Sequence, residues 1–233
     1  AAAAAPPREP RDRRPPPPRE AASPPLPLQP RDDDRYDRYA RKRGKMVAEA
    51  GRAIIAEAAV LAKLLARETG KAVATECRGE LAVAADLLEF YGGLGSELKG
   101  ETVPFDPSVF ATTTREPLGV VGAIVPWNYP FHNVFNPLVA NVFAGNALVV
   151  KVSEHASWSS QYYGRAIKAC LKAAGAPEDL VQIVTGYGEA GEAIVNGGCQ
   201  KVVFVGSTTV GRLVMKSAAK TLTPVVLELG GKD

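Results

Sequence analysis

Five short runs of this sequence set polar, charged or glycine residues where they can do chemistry, and each follows an apolar stretch. In Pro126-Trp127-Asn128-Tyr129-Pro130 a side-chain amide stands between two prolines. A fixed N–H of that kind can meet negative charge as it develops on an oxygen. An Asx turn beside proline uses the same residue types. In Glu228-Leu229-Gly230-Gly231-Lys232 a carboxylate sits beside two glycines, which leave room for a substrate or a water. Such a carboxylate can act as a general base. A surface Glu in a turn fits the pattern as well.

The other three runs suit a ligand that carries phosphates and ribose. Gly206-Ser207-Thr208-Thr209-Val210-Gly211 opens a helix after a strand. Free N–H groups and the helix dipole favour a pyrophosphate there, and the Ser207 hydroxyl can donate to a phosphate oxygen. An ordinary capped helix start has the same composition. Lys151 and Glu154 follow another strand. Glu154 offers a ribose its acceptor, with Lys151 as cationic partner. A carboxylate there repels a 2′-phosphate, which favours NAD over NADP. A solvated turn is the plainer alternative. Gly186, Gly188 and Gly191 spell a literal G-x-G-x-x-G. The dinucleotide fingerprint belongs at the first strand, with an acidic residue about 20 positions later. Here it follows the third strand and meets Gly206 and Ser207 instead. A tight turn explains it, with a modest backbone role for Gly188 left open.

The elements that position these runs follow from hydrophobic patterning. Val47 to Arg67 reads as a helix, with Ala56, Val60 and Leu64 at four-residue spacing and Gly70 as its C-cap. A second helix is expected over Gly79 to Gly93, entered by Glu80. After Pro117 strands and helices alternate: strands at Gly119–Val125, Ala147–Val152, Leu180–Thr185, Lys201–Val205 and Pro224–Leu227, and helices at Phe131–Phe143, Ser157–Ala174, Glu189–Asn196 and Ser207–Ala219. Ser153 and Ser157 are capping candidates for the second of these helices. Near-continuous apolar strands between helices imply an α/β fold with a Rossmann-like parallel sheet covered on both faces. Such sheets bind ligands at the carboxyl ends of their strands, where all five runs lie.

Composition narrows the class. The chain has 233 residues, 46% hydrophobic, with a formal charge of +3. Much of the arginine precedes residue 45, so the charge is no sign of a nucleic-acid partner. Residues 1–45 differ in composition: Ala1 to Leu28 is mostly Ala, Pro, Arg and Glu, and Pro15 to Pro18 form an unbroken run. That stretch is expected as a disordered leader with polyproline II segments, a transit sequence being the functional alternative. Residues 46–233 are expected as the folded unit. Cys77, Cys170 and Cys199 are too scattered for a disulfide framework or a zinc site, which suits a reducing cytoplasmic or organellar compartment. No apolar run approaches the roughly 18–20 residues of a membrane span. His132 and His155 are isolated and read as local hydrogen-bonding residues.

The order of the motifs is more specific than any one of them. Glu68-Thr69-Gly70-Lys71, the Pro126–Pro130 run, Lys151-Val152-Ser153-Glu154, Phe204 to Gly211 and Leu227 to Asp233 occur at the spacings of the aldehyde dehydrogenase superfamily. The chain from Glu68 onward resembles the first half of that family. Lys151 to Trp158 most resembles a plant and green-algal branch. The resemblance implies that Asn128 is the oxyanion donor and Glu228 the base that activates the deacylating water. It implies that Val125, Pro126 and Trp127 form the nicotinamide wall and that Lys151 and Glu154 bind the adenosine ribose. Gly206, Ser207 and Gly211 then form the pyrophosphate turn.

In the family a cysteine thiolate attacks the aldehyde, hydride passes to NAD, and the thioester is hydrolysed. That cysteine falls beyond Asp233, and none of the three cysteines here stands in its context. The full-length protein is therefore expected to oxidise an aldehyde to a carboxylic acid with NAD, as a homo-oligomer. Glu228 favours hydrolysis over transfer to coenzyme A. The 233-residue chain itself is expected to be an inactive NAD-binding module or an unstable truncated product.

Overall fold

The expected alternation of strands and helices is present. In the computed structural model residues 33–106 and 108–232 are described. Most of the expected 1–45 leader lies outside them. Five parallel strands form the main sheet: β3 (Val120–Ile124), β4 (Ala147–Lys151), β5 (Val181–Val184), β6 (Lys201–Gly206) and β7 (Val225–Leu229). Their order is β5-β4-β3-β6-β7. The chain enters at the centre, steps outward to β5, then returns to the far side of β3. That reversal between β3 and β6 is the switch point at which doubly wound sheets hold their ligands.

Six α-helices pack around this sheet: α1 (Asp33–Thr69), α2 (Arg78–Gly93), α3 (His132–Phe143), α4 (Ser157–Ala173), α5 (Gly188–Asn196) and α6 (Thr208–Ala218). Helix α1 begins ahead of the expected boundary at residue 46. Asp33 to Lys45 is too charged to show hydrophobic periodicity, so its helicity was not legible. Packing supports it there: Ala40 is buried, and the Arg43 Nε–H donates to the Phe143 carbonyl at 2.8 Å. The Gly70 C-cap is as expected, with φ at +76° and its N–H on the Ala66 carbonyl at 2.9 Å. Only a residue without Cβ enters that left-handed conformation cheaply.

The two faces of the sheet are covered unequally. Val121, Ala123 and Val125 of β3 and its end, with Leu148 and Val150 of β4, face a large core shared with α1, α2, α3 and α4. Phe131 and Phe135 stack in that core at 4.2 Å between ring centroids, and Tyr163 meets Phe131 edge-on at 5.4 Å. The opposite face buries a smaller cluster of Val195, Val202, Phe204, Val214 and Ala218, contributed by α5, β6 and α6. At the β7 edge Val226 is 47% exposed.

A two-stranded antiparallel hairpin, β1 (Glu101–Asp106) and β2 (Val109–Thr113), was not expected from the sequence. Its described residues are largely exposed, so no buried face imposes a period on them. Among the described residues no helix is long and apolar enough to cross a membrane. None of their His, Cys, Asp and Glu side chains cluster as a metal site.

Candidate functional site

The parallel registers bring the candidate residues to one edge of the sheet. Ile124 pairs with Lys151 on one side and with Phe204 on the other, and Val205 pairs with Glu228. The runs that follow β3, β4 and β6 therefore emerge together. The edge reaches β7, two strand spacings or roughly 10 Å from β3.

The Pro126–Pro130 loop is exposed at its middle and anchored at both ends. Val125 is buried and donates its N–H to the Lys151 carbonyl at 3.0 Å. Pro126 is half-buried, and Trp127 is 52% exposed. Asn128 is exposed, and its Oδ1 accepts from the Asn133 Nδ2 at 3.3 Å. Its oxygen is thus tied back along the chain, which leaves the NH2 group as the free end. At the far end of the loop the buried Tyr163 hydroxyl donates to the Pro130 carbonyl at 3.3 Å. Burial pushes that hydroxyl far above its usual pKa, so it stays a donor.

Lys151 ends β4 and is 7% exposed, not a solvated side chain. Its Nζ sits 3.5 Å from the Glu154 Oε2. The Ser153 hydroxyl donates to that same oxygen at 3.4 Å. The Glu154 backbone N–H, and behind it the Lys151 charge, hold this carboxyl below its usual range against the opposing pull of burial. A half-exposed, charged carboxylate beside a buried ammonium can accept from sugar hydroxyls.

After β6 the turn is built for close packing. A Cβ on Gly206 would lie 2.7 Å from the Phe204 ring, and one on Gly211 would lie 2.6 Å from Leu229 Cδ2. Ser207 is the N-cap of α6, and its hydroxyl accepts from the Val210 N–H at 3.4 Å. The Thr208 and Thr209 N–H groups keep no acceptor within the helix and are available to meet an anion. The G-x-G-x-x-G run lies at the start of α5. Gly188 opens that helix with open space where a Cβ would be, so nothing approaches it closely.

Glu228 lies inside β7 rather than after it, one position beyond the expected strand end. It is exposed on the edge strand, and among the described residues nothing pairs with its carboxylate. Cys77 is buried, and Cys170 and Cys199 are partly buried. Burial pushes all three thiols above their usual pKa, so none is a ready thiolate. His155 stands 3.9 Å from Glu154 through its Nε2. Among the described residues the buried His132 Nδ1 has no hydrogen-bond partner, so that nitrogen does not make the expected local bond.

Three polar side chains outside the candidate set brace these loops. Glu80, expected merely to enter α2, is 2% exposed, and its Oε1 accepts from the Phe131 N–H at 2.7 Å and the His132 N–H at 3.0 Å. Its Oε2 meets Lys71 Nζ at 3.3 Å. Glu68 does the same for α4, accepting from the Trp158 N–H at 2.7 Å and the Ser159 N–H at 3.2 Å. This corrects the expected caps of α4. Ser153 caps the short 3-10 turn Glu154–Ala156, and Ser157 donates to the Glu154 carbonyl at 3.1 Å. For Glu68 and Lys71, position in the Glu68–Lys71 run was the one available signal.

A cleft of about 550 Å³ opens beside Asn133, between Tyr129 and His132 on one side and Thr75, Glu76 and Val83 on the other. A separate apolar groove of about 400 Å³ between α1, α3 and α4 is lined by Ile54, Phe135 and Tyr162. It lies away from the strand ends and holds none of the candidate residues.

The sequence profile of the aldehyde dehydrogenase family matches residues 36–233. The chain belongs to the aldehyde dehydrogenase family. An aldehyde dehydrogenase of Enchytraeus buchholzi is 36% identical over 206 residues, covering 87% of this chain and 41% of that protein. The NAD+ complex of an aldehyde dehydrogenase from Bacillus cereus superposes with a TM-score of 0.78 at 32% identity, covering 83% of this chain and 39% of that one. A glyceraldehyde-3-phosphate dehydrogenase of Methanocaldococcus jannaschii, complexed with NADP, gives a TM-score of 0.76 at 29% identity, over 84% of this chain and 44% of that one. This aldehyde dehydrogenase chain thus spans well under half the length of the curated relatives it matches.

Proposed function

We propose that this chain is the cofactor-binding half of an enzyme that oxidises an aldehyde to a carboxylic acid with NAD. The observation that carries the reading is the shared edge: an ion-paired carboxylate, a helix N-terminus and an amide whose NH2 faces outward all emerge from neighbouring parallel strands. These are the groups a dinucleotide asks for. Lys151 and Glu154 hold the adenosine ribose, and the start of α6 with Gly206, Ser207 and Gly211 holds the pyrophosphate. Val125, Pro126 and Trp127 wall the nicotinamide end, and Gly188 lies at the margin. Glu154, kept charged by its own backbone N–H and Lys151, disfavours a 2′-phosphate, so NAD is preferred over NADP.

When bound, NAD supplies the acceptor for the hydride that leaves the aldehyde carbon. The chain's own groups manage the charge and protons. The Asn128 NH2 donates to the aldehyde oxygen as negative charge builds on it. Glu228, exposed and unpaired, takes a proton from the water that releases the acid, which favours hydrolysis over transfer to coenzyme A. None of the three cysteines is placed or ionised for covalent attack, so the 233-residue polypeptide binds NAD without turning it over.

Calorimetric titration of this polypeptide with NAD and with NADP tests the reading, alongside an assay for NADH formation with a simple aldehyde. Saturable NAD binding, weaker NADP binding and no NADH are expected. Equal affinity for NADP defeats the role given to Glu154. NADH formation defeats the assignment of the cysteines.

A further inference from the structure

Neither of the helices that follow the β3 and β4 loops carries its own cap. Helix α3 begins behind Phe131 and α4 behind Ala156, and neither residue makes a side-chain cap. Ser, Thr, Asp or Asn at those positions would satisfy the first turn locally. For α3 the chain instead buries a carboxylate from another helix, which is costly unless every bond is replaced. The bonds are replaced: Glu80 takes two amides on one oxygen and Lys71 on the other. Lys71 is then shared, because its Nζ also stands 3.6 Å from the centre of the Tyr129 ring. Tyr129 adjoins Asn128, and the amides of Phe131 and His132 follow directly after Pro130. The pair therefore grips the loop at its ring and at its exit.

We propose that Lys71 and Glu80 are positioning residues that set the attitude of the Pro126–Pro130 loop, and through it the reach of the Asn128 amide and the Trp127 ring over the nicotinamide end of the cofactor. This rests on the NAD reading above. An ordinary cap would stabilise α3 and no more. A positioning pair acts selectively, on the part of the ligand that lies against this loop and not on the adenosine part held by Lys151 and Glu154.

The chain's two tryptophans supply the experiment, since one is Trp127 in the loop and the other is Trp158 at α4. Trp158→Phe leaves Trp127 as the sole reporter in the 233-residue chain. In that background Glu80→Gln keeps an acceptor for the two amides but turns a donor toward Lys71. Lys71→Met removes the cation and leaves the carboxylate caps intact, so it remains informative if Glu80→Gln does not fold. Each variant is titrated with NAD and with ADP-ribose, which lacks the nicotinamide. Time-resolved anisotropy of Trp127 is recorded without ligand.

Affinity for NAD is expected to fall about tenfold, the scale on which small misplacements act, while ADP-ribose changes less than about twofold. The Trp127 anisotropy gains a fast component, and Lys71→Arg restores the parent behaviour. Equal weakening of both ligands, or unchanged affinity for both, overturns the proposal. If the parent binds neither ligand, the cofactor reading fails; the anisotropy still judges the grip on the loop, and an unchanged decay overturns it.

Discussion

The two ends of the candidate site are held by different means. At β3 and β4 the loops are braced from a distance: Glu80 and Tyr163 fix the loop after Val125, and Glu68 fixes the helix after Glu154. At β6 and β7 the bonds come from the turn itself and from the neighbouring strand. Ser207 caps its own helix, the Gly230 N–H bonds the Gly206 carbonyl at 3.2 Å, and Glu228 has no partner among the described residues. The large core lies under the braced end and the small cluster under the other. The groups assigned to orientation thus sit over dense packing, and the group assigned to proton transfer sits on an open edge. Packing is concentrated at the end proposed to orient the ligand, and exposure at the end proposed to admit water.

The most severe way to break this contrast is to hollow the braced end. Phe131→Ala removes a fully buried ring stacked on Phe135 and is expected to cost about 3–5 kcal/mol, read from urea unfolding. A loss under about 1 kcal/mol would mean that the core does not carry the loop. A smaller effect is expected at the Lys151–Glu154 pair, proposed to hold the ribose. Glu154→Gln removes a charged acceptor worth about 1.5–3 kcal/mol, so NAD binding measured by calorimetry falls tenfold or more. The pH profile sharpens this. The Glu154 carboxyl is held below its usual value by its own backbone N–H and, behind it, Lys151. The loss of affinity on acidification should therefore have its midpoint below that of an ordinary Glu. A decline in step with an ordinary carboxyl would remove those contacts from the account. The least effect belongs to the open side: Leu213 on α6 is 62% exposed, and Leu213→Lys should alter stability by less than about 0.5 kcal/mol. A larger loss would show that α6 is covered in solution.

Much of the fold was legible because buried strands write themselves as apolar runs. Val121, Ala123, Leu148 and Val150 could belong to little else than a covered parallel sheet. Gly70 announced the end of α1 through its conformation. The hairpin left no such mark, because Phe110 at 82% exposure and its neighbours face no core that would impose alternation. Lys151, Glu154, Gly206 and Ser207 were legible as a strand-end set, since the sheet's registers carry that information. Glu80 and Glu68 were not. Their donors lie 51 and 90 positions away, and an acceptor at that remove leaves no local pattern. Ser153 and Ser157 misled for the converse reason: they had the right chemistry next to α4, but a distant carboxylate had taken the amides.

Those two separations also have a direction. The carboxylates precede the amides they bind, so during synthesis Glu80 leaves the ribosome before Phe131, and Glu68 before Trp158. At about 5–20 residues per second the first interval is on the order of 3–10 s. Within it α1 and α2 are already made and can pair with each other. When α3 and then α4 emerge, each can close its first turn on a waiting acceptor instead of on water. The order of the long-range caps along the chain thus suits an assembly in which the earliest helices offer acceptors to the later ones.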